Sequence, residues 1–253
     1  MITECPKCRY RRQAIDAQVN EAICPACGIV YEKWLSRQTS LTTPNKPVAP
    51  EIAEEGEDEE VRQTFRQFIF YVPENIDPIS FWARAITLAA FALWGFYFIS
   101  AGVDWEKIGS SFLHNANLAF HEFGHIFFSP FGHFMTILGG SLFQILMPLG
   151  LMGVFMIKQR DNFAASITLW WCGQNFIDVA PYIDDAKYRA LPLVGGGGEE
   201  SHDWGNLLTM MNALESTHKI SHACFYIGCA IIMVALLWGF HILRLQKKNL
   251  LEH

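Results

Sequence analysis

The charge-free stretches of the sequence limit what this chain can fold into. Four such runs occupy residues 85–103, 134–157, 162–177 and 223–240. A helix that crosses a bilayer needs ~20 predominantly apolar residues, whereas buried helices of soluble proteins seldom run so far without a charge. The runs therefore predict an all-α polytopic membrane protein with four to six membrane helices.

Positively charged side chains flank these runs and test the direction of each crossing. They form three clusters: Arg62, Arg66 and Arg84; Lys158 and Arg160; Arg244, Lys247 and Lys248. All three fall on the cytoplasmic side if the four runs cross and segment 112–128 does not reverse the chain. The first twelve residues also lack the apolar core of a secretion signal. We therefore expect a bacterial inner-membrane protein with a cytoplasmic N-terminus.

Composition divides the chain into four parts. Residues 1–38 form a small polar unit with two cysteine pairs, and residues 80–248 form the membrane domain. Residues 39–79 are an acidic linker and juxtamembrane segment; seven of the ten residues 51–60 are acidic. Such a stretch cannot bury enough apolar surface to order itself, which predicts a flexible linker. Residues 251–253 match the start of a purification tag, so no functional role is expected for them.

The N-terminal unit carries a metal-binding pattern. Cys5, Cys8, Cys24 and Cys27 follow the spacing C-x2-C-x15-C-x2-C, which is typical of a four-thiolate zinc site. A cytoplasmic location disfavours the alternative of two disulfides. Four thiolates leave no open position on the metal, so the pattern predicts a structural zinc ribbon. So short a unit has almost no core, and the metal would supply most of its folding free energy.

The charges of the ribbon bear on its partner. Its basic residues are largely balanced by acidic residues and by the thiolates, which disfavours nucleic acid as a ligand. We expect the ribbon to dock a cytoplasmic protein. The other three cysteines, Cys172, Cys224 and Cys229, lie in apolar runs and are interpreted as packing residues.

A second metal pattern lies within the membrane domain. The sequence "HEFGH" fits H-E-x-x-H, in which His121 and His125 share one face of a helix and can hold zinc. Glu122 then lies beside the metal as a general base. With His114 and Asn117 the histidines form a polar stripe at helical spacing on a segment, 112–128, that "SPFG" should end. The alternative is a set of histidines satisfied by hydrogen bonds in a core.

A catalytic zinc takes three protein ligands and keeps one position for water. The third ligand must come from the second half of the membrane domain, where Asp178, His202 and Asp203 are candidates. Asp203 precedes a predicted amphipathic stretch, 205–219, and capping of a helix could also explain it. A buried hydrogen bond or a proton relay could explain Asp178. Tyr182 and Asp185 share the helix face of Asp178.

Three motifs together resemble the site-2 protease family of intramembrane zinc metalloproteases. These are "HEFGH", the following "GGSLFQ", and an Asn175 and Pro181 pair followed by the aspartate of "HDWGNLL". The middle motif has Ser where the family has Pro, and Gln144 where it has Asn; Asp184 aligns with the aspartate almost as well. The resemblance covers roughly residues 112–214. It implies two histidine ligands, a glutamate base and Asp203 as third ligand.

The resulting functional hypothesis is an intramembrane zinc metalloprotease with one catalytic and one structural Zn²⁺. Its substrate would be a membrane-spanning protein in the lipid bilayer. Substrate or oxyanion contacts would come from four polar residues of the membrane domain: His114, Asn117, Gln144 and Asn175. Two other hypotheses are a membrane zinc hydrolase acting on a lipid amide or ester, and a non-catalytic zinc-ribbon scaffold.

Overall fold

The structure is a computed structural model that describes residues 4–14, 16, 19–35, 65–73, 76–192, 198 and 201–252. The predicted acidic tract, Arg62, most of the glycine run 195–198 and the last residue lie outside the described residues. The chain divides into two units, Met1–Val61 and Arg62–His253.

The first unit consists of two turns with the same backbone geometry. Each begins at a cysteine whose amide bonds the carbonyl five residues on: Cys5 to Tyr10 and Cys24 to Ile29. Antiparallel bridges join Glu4 to Arg11 and Ile23 to Val30. One helical turn, 31–35, follows the second bridge. The buried core of this unit contains little besides Cys5, Cys24 and Tyr31, as expected of a fold that a metal holds together.

The described part of the second unit is helical and contains no strand. A short helical stretch, 65–69, precedes seven helices that we number in chain order. They are α1 (Pro78–Ala101), α2 (Trp105–Gly109), α3 (Phe112–Phe128), α4 (His133–Val154), α5 (Asn162–Asp184), α6 (Asp203–Met210) and α7 (Thr217–Glu252). A π-helical turn, Phe155–Gln159, extends α4.

Three of these segments are long and apolar enough to cross a membrane: Pro78–Ala101, His133–Gln159 and Leu214–Leu251. They correspond to the first, second and fourth charge-free runs. α1 begins where Asp77 caps it, and the Ser80 hydroxyl and the amides of Ser80 and Ile79 hold the pKa of this carboxyl below its usual range. The structure thus supports a helical membrane protein with three candidate spans in its described part. The predicted four to six spans are not confirmed.

The third run forms α5, which differs from the other long helices because most of its residues are buried. α5 packs against α7, α4 and α1, so little of its surface faces outward. An enclosed helix can carry polar side chains among its apolar ones, as α5 does at Gln174, Asn175 and Asp178. The same side chains lower its hydropathy, so α5 is not among the three candidate spans.

α5 and α7 form the most extensive helix–helix contact. Gly173 and Gly228 face each other so closely that a methyl group on either one would lie within 3 Å of the carbonyl oxygen of the other. The buried Ser221 hydroxyl also donates to the Ala180 carbonyl at 2.8 Å. Small residues at a helix interface allow such backbone contact in membrane proteins.

The segments that carry the basic side chains meet at one end of the second unit. Arg84, at the start of α1, pairs with Asp161 before α5 at 2.8 Å. Asn162 donates to the carbonyls of Phe68 and Tyr71 in the juxtamembrane segment. Near the end of α7, Asn249 donates to the carbonyl of residue 73. The start of α1, the α4–α5 turn and the end of α7 therefore share one side.

The chain around the predicted metal helix follows the sequence closely, with one correction. α3 spans Phe112–Phe128 as predicted, and a 3-10 turn with Gly132 at φ 95° ends it. The stretch 205–219, by contrast, is not one helix. α6 ends at Met210, and α7 already begins at Thr217 because this part of α7 packs on the end of α5.

Candidate functional site

The four ribbon cysteines lie together and form no disulfide. Their sulfur atoms lie within 4.8 Å of one another; the Cys5–Cys27 separation is 3.8 Å and the Cys8–Cys24 separation is 3.6 Å. This arrangement can bind a metal such as zinc.

In the second unit, α3 and α6 bring three side chains to one point. The Nε2 atom of His121 lies 2.9 Å from Asp203 Oδ2, and the Nε2 atom of His125 lies 3.3 Å from the same oxygen. One candidate ligand atom of each residue lies within 4.8 Å of the others. The helix places the two imidazoles one turn apart on one face. Asp203, the first residue of α6, comes from far along the chain.

The far nitrogen of each imidazole is already engaged. Nδ1 of His125 lies 2.8 Å from the Thr136 carbonyl, which can only accept a hydrogen bond. Nδ1 of His121 lies 3.2 Å from Gln144 Oε1. The amide nitrogen of Gln144 donates to Asp178, so the oxygen of this amide is the atom that faces His121. In its neutral form, each of the two imidazoles therefore carries its proton on Nδ1. Two Nε2 lone pairs and a carboxylate then converge, and a metal cation fits such a donor set.

The approach of the two imidazoles depends on Gly140 in α4. A methyl group at Gly140 would lie 2.6 Å from Nε2 of both histidines, closer than side-chain carbons come to any neighbour. Gly124, directly before His125, and Gly139, directly before Gly140, meet backbone to backbone. The two glycines of "GGSLFQ" thus let α3 lie directly against α4 at the level of the imidazoles.

Asp203 is held by contacts that sequence reasoning did not assign. Its backbone amide donates to the Tyr182 hydroxyl at 2.9 Å, and the indole of Trp204 donates to Ser141 in α4 at 3.0 Å. Trp204, the residue after Asp203, therefore fastens α6 to α4. Tyr182 shared a predicted face with Asp178, but no sequence signal pointed to the role of Ser141.

His202 lies next to Asp203 but faces away from the two histidines. Its Nδ1 accepts the amide of Gly205, so His202, not Asp203, caps α6. Its Nε2 lies 3.3 Å from Asp185, and the side chain is fully buried. His202 thus stabilises the start of α6. It is not part of the group formed by His121, His125 and Asp203.

Asp178, the other candidate third ligand, is the centre of a buried hydrogen-bond network. Its Oδ2 accepts from the amide nitrogens of Gln144 at 2.8 Å and Asn117 at 3.2 Å. Its Oδ1 lies 3.1 Å from Nδ1 of His114. Trp171 donates to the oxygen of Asn117 and so fixes the direction of that amide. Gln144 therefore links the candidate ligand His121 to Asp178, the position that an outer partner of a metal ligand takes.

Two other candidates lie apart from this group. Asn175 is buried and donates to the carbonyl of Trp171 in its own helix. Asp184 contacts His218 of α7. Neither residue lines the cavity beside His121 and His125.

A cavity of about 630 Å³ opens beside the histidines. Glu122 lies in its wall and is exposed, and Tyr182 and Asp203 also line it. Of the predicted contact residues, His114 and Gln144 also line the cavity, whereas Asn117 is buried behind it. The wall further includes Trp105, Leu118, Thr136, Ile137, Val179 and Leu191. A carboxylate, a histidine and three candidate ligands thus face one largely apolar space.

Neither a family model, nor a curated protein, nor a solved structure matches the chain.

Proposed function

We propose that the chain is an intramembrane zinc metalloprotease, whose catalytic zinc is held by His121, His125 and Asp203. The observation that carries the proposal is the convergence of the two Nε2 atoms on Asp203 Oδ2 in the wall of a cavity that also exposes Glu122. The resemblance of the motifs to the site-2 protease family points the same way. A second zinc in the ribbon would be structural.

When bound, the zinc supplies Lewis acidity, which polarises the scissile carbonyl and makes water a better nucleophile near neutral pH. Glu122 takes a proton from the attacking water and later passes it to the leaving amine. Gln144 and the Thr136 carbonyl hold the Nδ1 protons and keep both imidazoles oriented. Tyr182 and Trp204 hold Asp203 in place.

His114 is the residue best placed for a further contact with the substrate. It lines the cavity, and Asp178 engages its Nδ1, so its Nε2 is the nitrogen left for the substrate. Asp178 is almost completely buried and has no positively charged partner within its described hydrogen bonds other than this imidazole. A charged His114 would neutralise that carboxylate and donate to the oxyanion formed at the scissile carbonyl.

The membrane arrangement that suits these contacts has four crossings, α1, α4, α5 and α7. α2 and α3 would re-enter the bundle without crossing it, since the fully buried Ile108 of α2 packs with Phe98 and Ile177. The basic end then lies in the cytoplasm of a bacterial cell, together with the ribbon. The substrate would be a membrane-spanning segment that unwinds so that a peptide bond enters the cavity.

The ribbon is proposed to dock a cytoplasmic protein, not nucleic acid. Arg11 pairs with Glu4 at 2.8 Å, and the guanidinium of Arg12 donates to backbone carbonyls, including that of Val19. Lys7 lies over the ring of Trp34. The engagement of these three cations makes them less available to a phosphate backbone.

The test of the proposed chemistry is Glu122→Gln. Loss of a general base lowers the rate of hydrolysis by roughly 10²- to 10⁴-fold. Membrane proteomics and lipidomics of cells carrying wild-type or variant protein are compared, with Glu106→Gln, an exposed change outside the cavity, as matched control. We expect an uncleaved membrane protein to accumulate only with Glu122→Gln. Accumulation of a lipid would support the lipid hydrolase instead, and an unchanged membrane would support the scaffold.

Zinc content separates loss of the metal from loss of the base. Purified, desalted protein is expected to retain two zinc ions per chain, and Glu122→Gln should retain both. The double variant His121→Ala, His125→Ala should retain one. A single zinc that survives the double change would remove the membrane site from the proposal.

A further inference from the structure

Two histidines and an aspartate lie close together outside both of these sites. His218 and His222 are four residues apart near the start of α7, and Asp184 ends α5. Nδ1 of His218 lies 3.0 Å from Asp184 Oδ1. The imidazole rings of His218 and His222 lie 4.2 Å apart between centroids. Two imidazoles on one face of a helix can bind one transition-metal ion together.

The Asp184 contact orients the first imidazole for this task. A carboxylate that accepts a hydrogen bond from the N–H of one ring nitrogen leaves the lone pair on the other nitrogen, raises the basicity of that nitrogen and fixes the ring. Nε2 of His218 then carries the lone pair that can bind a metal ion. The side chain is 76 % exposed. His222 is only partly buried, so an ion can reach both rings from solvent.

Hydrogen bonds hold together the two helices that carry the group, α5 and α7. Binding of an ion therefore need not bring these helices together. The Ser221 hydroxyl donates to the buried Ala180 carbonyl at 2.8 Å. Just beyond the helix ends, the Lys187 ammonium, after α5, bonds both oxygens of Glu215, before α7, at 3.0 Å. A preformed donor set lowers the entropic cost of binding.

The position of the group in α7 keeps it accessible. α7 has 36 residues and is about 54 Å long at 1.5 Å per residue, which exceeds the ~30 Å hydrocarbon layer. Arg244, Lys247 and Lys248 occupy its other end. His218 and His222, in its first two turns, therefore extend toward the water on the opposite side.

We propose that His218 and His222, oriented by Asp184, form an accessory binding site for a divalent transition-metal ion of the Zn²⁺, Ni²⁺ or Cu²⁺ class. Imidazole nitrogen suits these ions, and water would complete their coordination. The site is open and has few protein ligands, so we expect reversible, micromolar binding that desalting removes. The proposal does not depend on a catalytic role for the cavity.

The test is calorimetric titration of Zn²⁺ into the full-length protein, purified in detergent without a polyhistidine tag and already holding its tightly bound zinc. Wild-type protein should take up one further ion per chain. His218→Gln and His222→Gln should each weaken that binding by more than tenfold. Asp184→Asn should weaken it by about tenfold, as changes of outer partners do.

His241→Gln is the matched control, because His241 lies in the same helix but packs its ring against Phe70. It should bind the further ion as wild-type protein does. Retention of the tightly bound zinc in every variant shows that folding is intact. The proposal fails if wild-type protein takes up no further ion, or if uptake persists unchanged in both histidine variants.

Discussion

At the scale of single residues, the candidate centre depends as much on an absent side chain as on its ligands. Gly140 leaves room for Nε2 of His121 and His125, and a methyl group there would lie 2.6 Å from each. Both rings are also held from behind by Gln144 and the Thr136 carbonyl, so they cannot turn away without losing hydrogen bonds. The imidazoles therefore cannot easily move away from a methyl group added at Gly140.

We expect Gly140→Ala to displace the imidazoles and to speed release of the membrane zinc. Changes that misorient metal ligands cost roughly 10- to 100-fold in affinity. The measurement is the rate of zinc transfer to a chromophoric chelator, in which the ribbon zinc is an internal reference. Gly150→Ala, in the same helix with nothing within 4 Å of the added carbon, is the control. Equal release rates for the two variants would contradict the role of Gly140.

At the scale of elements, the ribbon repeats one backbone design twice. In each turn the residue after the second cysteine has a positive φ, 59° at Arg9 and 70° at Gly28, and its amide bonds the carbonyl of the first cysteine. The turns present their sulfurs to one point but bury almost no apolar surface. The metal must therefore provide what a hydrophobic core would otherwise provide.

Removal of the ribbon metal should unfold the ribbon and leave the helices intact. Structural zinc supplies roughly 10 to 16 kcal/mol of folding free energy in comparable units. We expect Cys24→Ser to lose one tightly bound zinc and to become protease-sensitive within residues 4–35, while far-ultraviolet circular dichroism keeps its helical signal. Cys229→Ser, a change of a cysteine in α7, should retain the zinc and the protection. A protected ribbon without metal would show that the thiolates are dispensable.

At the scale of the whole second unit, the direction of the helices follows from where the charges meet. The Arg84–Asp161 pair and the Asn249 contact to residue 73 tie the basic clusters to one end. The loop after α1 lies at the other end of that helix. A four-crossing topology therefore places Glu106 and Lys158 on opposite sides of the membrane.

This topology can be checked by cysteine labelling in intact cells. Both positions are exposed. We expect Glu106→Cys to react with a membrane-impermeant maleimide in intact cells, and Lys158→Cys to react only after lysis. The wild-type chain, labelled in parallel, corrects for native cysteines. Reaction of both variants before lysis would contradict the four-crossing arrangement.

The sequence by itself determined the local features, because each is written in the spacing of neighbouring residues. The thiolate pattern, the bounds of α3 and the pairing of His121 with His125 follow from turn and helix periodicity. Hydropathy likewise indicated the helices of the membrane unit. It could not separate α5, which is enclosed, from helices that face lipid, because both are long and charge-free over many residues.

Only the tertiary structure decided among Asp178, His202 and Asp203. Asp178 lies within an apolar helix and the other two follow the glycine run, but no spacing rule relates any of them to α3. Packing of α3 and α6 against α4 brings Asp203 to the imidazoles, whereas Asp178 accepts amide hydrogen bonds and His202 caps α6. The pairing of Asp184 with His218 arises in the same way. Contacts between residues far apart in the chain depend on how the helices pack, which no local pattern records.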